Sequence, residues 1–195
     1  MLRKLILVLF LSAGLIMAAG ANSIAEDLIF DFEESSQGWY VPDWALEKDD
    51  NASMEVDISD AFSSQGKKAL CLVTNFPGSK WAAAVVEVAE YYDWTPYKKI
   101  SVDIYIPSNA PAGLTAQFVL TVGEDWVWTE ARRNVRLTPG QWTTISVSLA
   151  PGNKDWRRTI VDENFRKDIR KVLIRIASNN PAYSGNIYID NIRLD

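Results

Sequence analysis

A two-residue rhythm runs through most of the chain after Leu28, and it limits what such a chain can fold into. Ile100, Val102, Ile104 and Ile106 alternate with Lys99, Ser101, Asp103 and Tyr105. Ile145, Val147 and Leu149 alternate with Thr144, Ser146 and Ser148, and Val172, Ile174 and Ile176 with Lys171, Leu173 and Arg175. Successive strand side chains point to opposite faces, so each run reads as a strand with one face turned to the core. Leu28–Glu33, Ser53–Ile58, Lys68–Asn75, Trp81–Val88, Leu114–Val122, Trp126–Leu137 and Asn186–Leu194 read as further strands. Pro77-Gly78, Pro139-Gly140, Pro151-Gly152 and Ser184-Gly185 punctuate them as turns. One short helix is expected, from about Asp162 to Asp168. About ten strands without alternating helices predict an all-β fold, a two-sheet antiparallel β-sandwich or jelly roll. The stretch 28–195 is long enough for one such core, and it shows no repeat or linker.

The first residues follow a different pattern. Arg3 and Lys4 precede an apolar or small run from Leu5 to Met17, and Ala19-Gly20-Ala21 supplies a small-x-small cleavage pattern. A membrane-spanning helix needs about 20 apolar residues, more than this run holds. Residues 1–21 are therefore expected to be a signal peptide and 22–27 a short linker, with cleavage after Ala25 as the alternative. The product would be secreted or periplasmic, free of the membrane and acidic.

What the chain lacks excludes much chemistry. It has no histidine and a single cysteine, Cys71, which removes Ser-His-Asp triads, Cys-His dyads, histidine metal sites and internal disulfides. Acids (25) and bases (20) are interspersed with no basic stripe, so nucleic acid is not an expected partner. Tryptophan is abundant instead, at 8.

The order of the motifs resembles a known family. Phe30-Asp31-Phe32-Glu33 is followed by Gln37-Gly38-Trp39, then Gln65-Gly66-Lys67-Lys68-Ala69-Leu70 and Asp93-Trp94-Thr95-Pro96-Tyr97. Leu137-Thr138-Pro139-Gly140-Gln141-Trp142 and Ile187-Tyr188-Ile189-Asp190-Asn191-Ile192 complete the series. This is similar to β-jelly-roll, galactose-binding-like carbohydrate-binding modules, above all the mannan- and β-glucan-binding modules of glycoside hydrolases. The resemblance implies a monomeric, non-catalytic module that binds a polysaccharide or oligosaccharide, as an accessory to a glycoside hydrolase system. It also implies one structural calcium ion, held by Glu33 (or Asp31), loop carbonyls around Ser63 to Lys68, and Asp190.

The residues themselves suggest where a sugar would lie. An indole face attracts the C–H face of a pyranose ring, and neighbouring polar side chains select the hydroxyls. Trp126 and Trp128, two apart, are expected on one strand face with Glu130 and Arg132. Trp81 shares a face with Glu87, and Gln117 points outward from its own strand. Trp126, Trp128, Trp81 and Trp44 are thus the expected stacking surfaces, with Gln117, Glu87 and Arg132 as hydrogen-bonding partners. Trp94, Trp142 and Trp156 read as structural. The rival reading is an extracellular or envelope protein-interaction module on the same fold. A less favoured one is a jelly-roll glycosidase or polysaccharide lyase using Glu55 with Asp57, or Glu124 with Glu130.

Overall fold

The computed structural model describes residues 27–195; the signal-peptide assignment lies outside the described residues. Within them, eleven strands form two antiparallel sheets, with two short helices, α1 (Asp43–Leu46) and α2 (Glu163–Lys167). The first sheet contains β1 (Asp27–Phe30), β2 (Ser53–Ser59), β3 (Ala69–Phe76), β5 (Lys99–Ile106), β9 (Gln141–Ser148) and β11 (Tyr183–Leu194). Its order is β2-β3-β11-β5-β9, with β1 lying along the end of β11. The second sheet contains β4 (Ala82–Val88), β6 (Thr115–Val122), β7 (Val127–Glu130), β8 (Val135–Arg136) and β10 (Ile169–Ser178). Its order is β4-β10-β6-β7, with β8 also on β6.

The alternation explains the sandwich. Ile100, Val102, Ile104 and Ile106 of β5 face Ala84, Val86, Phe118, Leu120, Ile174 and Ile176 of the other sheet in one buried cluster. Trp39, Trp94 and Trp156 are buried with them, and the Trp156 Nε1–H donates to the Ser148 carbonyl at 2.9 Å. Trp142 is structural in another way, lying on the outer face of the first sheet with its ring 5.4 Å from that of Tyr105. The opening motif proves to be a local lock. Gln37 Oε1 accepts from the Asp31 and Phe32 amides (3.0 and 2.8 Å), and Trp39 packs edge-on against Phe30 at 5.4 Å.

Two local expectations are corrected. Trp126–Leu137 is not one strand. Residues 123–126 form a turn in which Trp126 takes φ 53°, β7 follows, and the chain then leaves β6 for the 155–157 segment. There Arg132 N–H donates to the Asp155 carbonyl (2.7 Å) and Arg157 N–H to that of Glu130 (2.8 Å). Ser184-Gly185 is strand rather than turn, paired with Asn75 and Thr74. A Cβ at Gly185 would stand 2.7 Å from Tyr183 Oη, so a larger residue there would displace the Tyr183 ring. Pro42 caps the single-turn helix α1, which sits on the outer face of the second sheet. There Ala45 packs with Val85, Val119 and Leu173 in a small apolar cluster against Trp128.

Candidate functional site

The outer face of the second sheet has rows of side chains set by register. Leu173 pairs with Glu87 on one side and Val119 on the other, and Val119 pairs with Glu130. The next row runs Val85, Arg175, Gln117. Residues 40–51 cross this face. Tyr40 exchanges backbone hydrogen bonds with Glu87 (both 2.9 Å), and Ala83 exchanges them with Asp50 and Ala52 (2.9 and 2.8 Å). What α1 leaves uncovered on this face is a groove made of two neighbouring depressions, bridged by side-chain contacts.

One part, about 200 Å³, is lined by Trp44, Trp81, Ala83, Val85 and Arg175, with Lys48, Asp50 and Asn51 on its wall. The other, about 460 Å³, is lined by Trp128, Glu130, Arg132, Arg157 and Arg158. Arg175 joins them, lining the first and donating to Glu130 Oε1 of the second at 3.0 Å. Trp44 and Trp128 meet edge to face, 5.7 Å apart at 88°. Trp44 and Trp81 are 36% and 43% exposed. Burial alone would raise the Glu130 carboxyl. The hydrogen bond and charge of Arg175, with the Trp128 Nε1–H at 3.3 Å and Arg157, outweigh it and hold Glu130 below the usual carboxylate range.

The structure thus brings Trp44, Trp81, Trp128 and Arg132 to one groove and removes three other candidates from it. Trp126 leaves the strand at the β6–β7 turn. The Arg170 guanidinium lies 5.0 Å from its ring centre and Tyr91 lies edge-on at 6.5 Å, away from the groove lining. Two residues apart means one face only inside a strand, and the turn breaks that rule. Glu87 is 1% exposed and already committed, accepting from Lys171 Nζ (2.7 Å), Tyr40 Oη (2.9 Å) and Trp44 Nε1 (3.3 Å). Burial and the Glu87 carboxylate push the Tyr40 phenol up to about 12. Gln117 is 3% exposed, with its Nε2 unpartnered among the described residues. Both carboxylate and amide face outward as the alternation requires, yet neither reaches solvent, because β-sheet periodicity cannot foresee a covering segment.

Arg175 was legible as an outward residue of β10; Arg157 and Arg158, on a loop, carried no periodic signal. The carboxylate pairs weighed for catalysis do not flank this groove. Glu55 and Asp57 are exposed on β2 in the other sheet, and Glu124 lines a separate depression with Asn164 and Lys167. Glu130, held low by Arg175, is not the raised-pKa acid of such a pair, and Glu124 does not line this groove to supply one.

The second predicted constellation is also assembled. Asp31, Glu33, Asp190, Gln65, Gly66, Asn191 and Leu28 line a cavity of about 180 Å³ between β1, the 63–68 loop and β11. Glu33 Oε1 accepts from the Lys67 and Lys68 amides (2.8 and 3.1 Å), and Asp190 Oδ2 from those of Ser64 and Gln65 (2.7 and 3.1 Å). The Lys68 and Lys67 amides pull the Glu33 carboxyl down, whereas burial raises Asp190 despite its amide partners. Gly66 is needed for this closure, since a Cβ there would stand 2.1 Å from Glu33 Oε1. The loop therefore occupies one oxygen of each carboxylate with N–H groups. Glu33 Oε2 takes no part in these bonds, and Asp190 Oδ1 accepts from the amide of its neighbour Asn191 (2.7 Å). Among the described residues no three acidic, histidine or cysteine side chains converge on one point. An ion of six to eight oxygens would complete its shell with main-chain carbonyls and water.

A family model described as carbohydrate binding module 27 matches residues 20–195. Among solved structures, CBM27-1 of Caldicellulosiruptor saccharolyticus in complex with mannohexaose is 23% identical with a TM-score of 0.62, covering 88% of this chain and 97% of that one. The module CBM28, specific for non-crystalline cellulose, is 17% identical at a TM-score of 0.60, covering 85% and 92%. A family 11 module of Clostridium thermocellum in complex with a β-1,3-1,4-mixed-linked tetrasaccharide is 17% identical at 0.53, covering 88% and 96%. At these identities the likeness is one of fold. No curated protein matches the chain.

Proposed function

The chain belongs to the carbohydrate binding module 27 family, and from that premise we propose that it is an exported module binding β-mannan, with β-glucan as the alternative polymer, in the groove across its second sheet. The observation that carries this reading is that Trp81 and Trp44 line one depression, Trp128 lines the next, and Trp44 and Trp128 touch between them, with Arg175 and Glu130 paired across the join. The three indoles offer faces to successive or alternate pyranose rings, and Arg175, Glu130 and Arg132 stand at hydrogen-bonding height beside them. Such a site holds and orients a chain without cleaving it. Its affinity is modest, because a shallow open groove gains little beyond each stacked ring.

Titrating the protein with mannohexaose and cellohexaose, following tryptophan fluorescence and calorimetry, tests this. A saturable change with mannohexaose, weaker with cellohexaose, is expected. No change with either at millimolar concentration would sink the proposal.

We extend the proposal to calcium in the cavity between β1 and β11, where Glu33 and Asp190 would hold the ion and the 63–68 loop would be tied to both. The ion's charge there would offset the burial of Asp190. Metal bound at a hundred times its Kd adds about 2.7 kcal/mol of stability. For a domain of this size that is a melting shift of about 5–10 °C. Calcium is expected to raise the melting temperature of chelator-treated protein by that amount, and Asp190→Ala to remove the response; a chelator-insensitive wild type would exclude the ion.

A further inference from the structure

The chain carries a net charge of −5, yet the larger part of its groove is ringed by guanidinium groups. Arg132, Arg157 and Arg158 line it with one carboxylate, Glu130, and that carboxylate is spent. Its Oε1 accepts from Arg175 (3.0 Å) and from Trp128 Nε1 (3.3 Å), and its Oε2 faces Arg157 at 3.7 Å. Arg132 is tethered only through Nε, to the Lys154 carbonyl. Arg158 has no side-chain hydrogen bond or ion pair among the described residues, is exposed, and sits at φ 61°. A left-handed backbone costs a non-glycine residue about 1 kcal/mol or more. Arg158 is thus held in a costly conformation in the cavity it shares with Trp128, with a donor fork that nothing among the described residues uses.

Hydroxyl groups of a neutral sugar both donate and accept, and grooves that mix amide, hydroxyl and carboxylate groups serve them well. A guanidinium only donates, and its planar fork matches a carboxylate with two parallel N–H···O bonds. Three such groups gathered around one committed acid leave an unsatisfied demand for negative charge. A uronate meets it. Its carboxylate projects from the edge of the ring, so a ring stacked on Trp128 would present it to the arginines surrounding that indole.

Resting on the polysaccharide-binding reading above, we infer that the groove takes an acidic glycan: its ligand carries a uronate carboxylate on the ring beside Trp128, bound by Arg158 with Arg157 and Arg132. The Trp81 end has Lys48 and Asp50 on its wall, its Arg175 is engaged by Glu130, and it tolerates a neutral ring.

The test compares two hexasaccharides of the same β-1,4 linkage and ring stereochemistry, mannohexaose and its C6-carboxylate counterpart, a mannuronate hexasaccharide. Calorimetry at low salt is expected to show about tenfold tighter binding of the mannuronate. That preference should collapse at 0.5 M salt, where exposed charges are screened. In Arg157→Ala/Arg158→Ala, and separately in Arg158→Glu, the ratio of the two affinities should fall to about one, with circular dichroism unchanged. A neutral chain bound as tightly as the acidic one, or a preference that survives both variants, overturns the inference and leaves the neutral-mannan reading standing. Failure to bind either chain overturns both.

Discussion

Trp128→Ala is expected to weaken binding of mannohexaose by about 30-fold or more, while the sandwich remains folded. Trp128 stands where the two parts of the groove meet, edge-on to Trp44 and with its Nε1–H on Glu130. Its removal takes away one stacking face, loosens a second and frees the carboxylate between them. Central aromatic anchors of this kind cost 2 kcal/mol or more on truncation to alanine, and each 1.4 kcal/mol is tenfold in Kd. The control is Trp126→Ala. Trp126 is 48% exposed, more than either Trp44 or Trp81, and two residues from Trp128, yet it rests on Arg170 outside the groove. Its removal is expected to change affinity less than twofold. Calorimetry with near-ultraviolet circular dichroism reads both, and Trp128→Phe separates ring area from the indole N–H. Equal losses in the two alanine variants would refute the placement of the site.

The second large effect is expected from Glu87→Ala, through stability first and binding second. The Glu87 carboxylate is almost fully buried between Lys171, Tyr40 and Trp44, three residues from three separate stretches of chain. Deleting one member of a buried ion pair costs about 3–5 kcal/mol, because the other charge remains without its partner. A melting temperature lower by about 10 °C is expected. Mannohexaose affinity should also fall, since Trp44 loses its N–H acceptor and α1 its anchor on β4. The double variant Glu87→Ala/Lys171→Met should recover much of the stability, because the orphaned ammonium is gone, but not the affinity. Recovery of both would mean that Glu87 does not position Trp44. An unshifted melting point in the single variant would mean that the carboxylate is not buried as described.

Individual residues show why part of the site was readable in advance. Trp81, Trp44, Trp128 and Arg132 were named from residue type and spacing, and all four line the groove. Asp31, Glu33 and Asp190 likewise line one cavity. Glu87 and Gln117 had the correct facing and the wrong surroundings. The alternation places them outward; residues 40–51 then roof over Glu87, and Gln117 is buried as well. Trp126 failed through one backbone angle, a positive φ that ends the strand register before it reaches the indole.

The sequence alone determined the period-two strands, which residues of each strand enter the core, the turns that end most of them, and the exclusion of histidine and disulfide chemistry. Those are short-range matters, decided by neighbours along the chain and by the need to bury apolar side chains. The tertiary structure decided which strands adjoin and which outward side chains share water. Glu130 meets Arg175 across 45 residues, Glu87 meets Trp44 across 43, and Asp190 meets Ser64 across 126. No local preference encodes such pairings, because their energy exists only once both sheets have formed and the segment around α1 has settled on one of them.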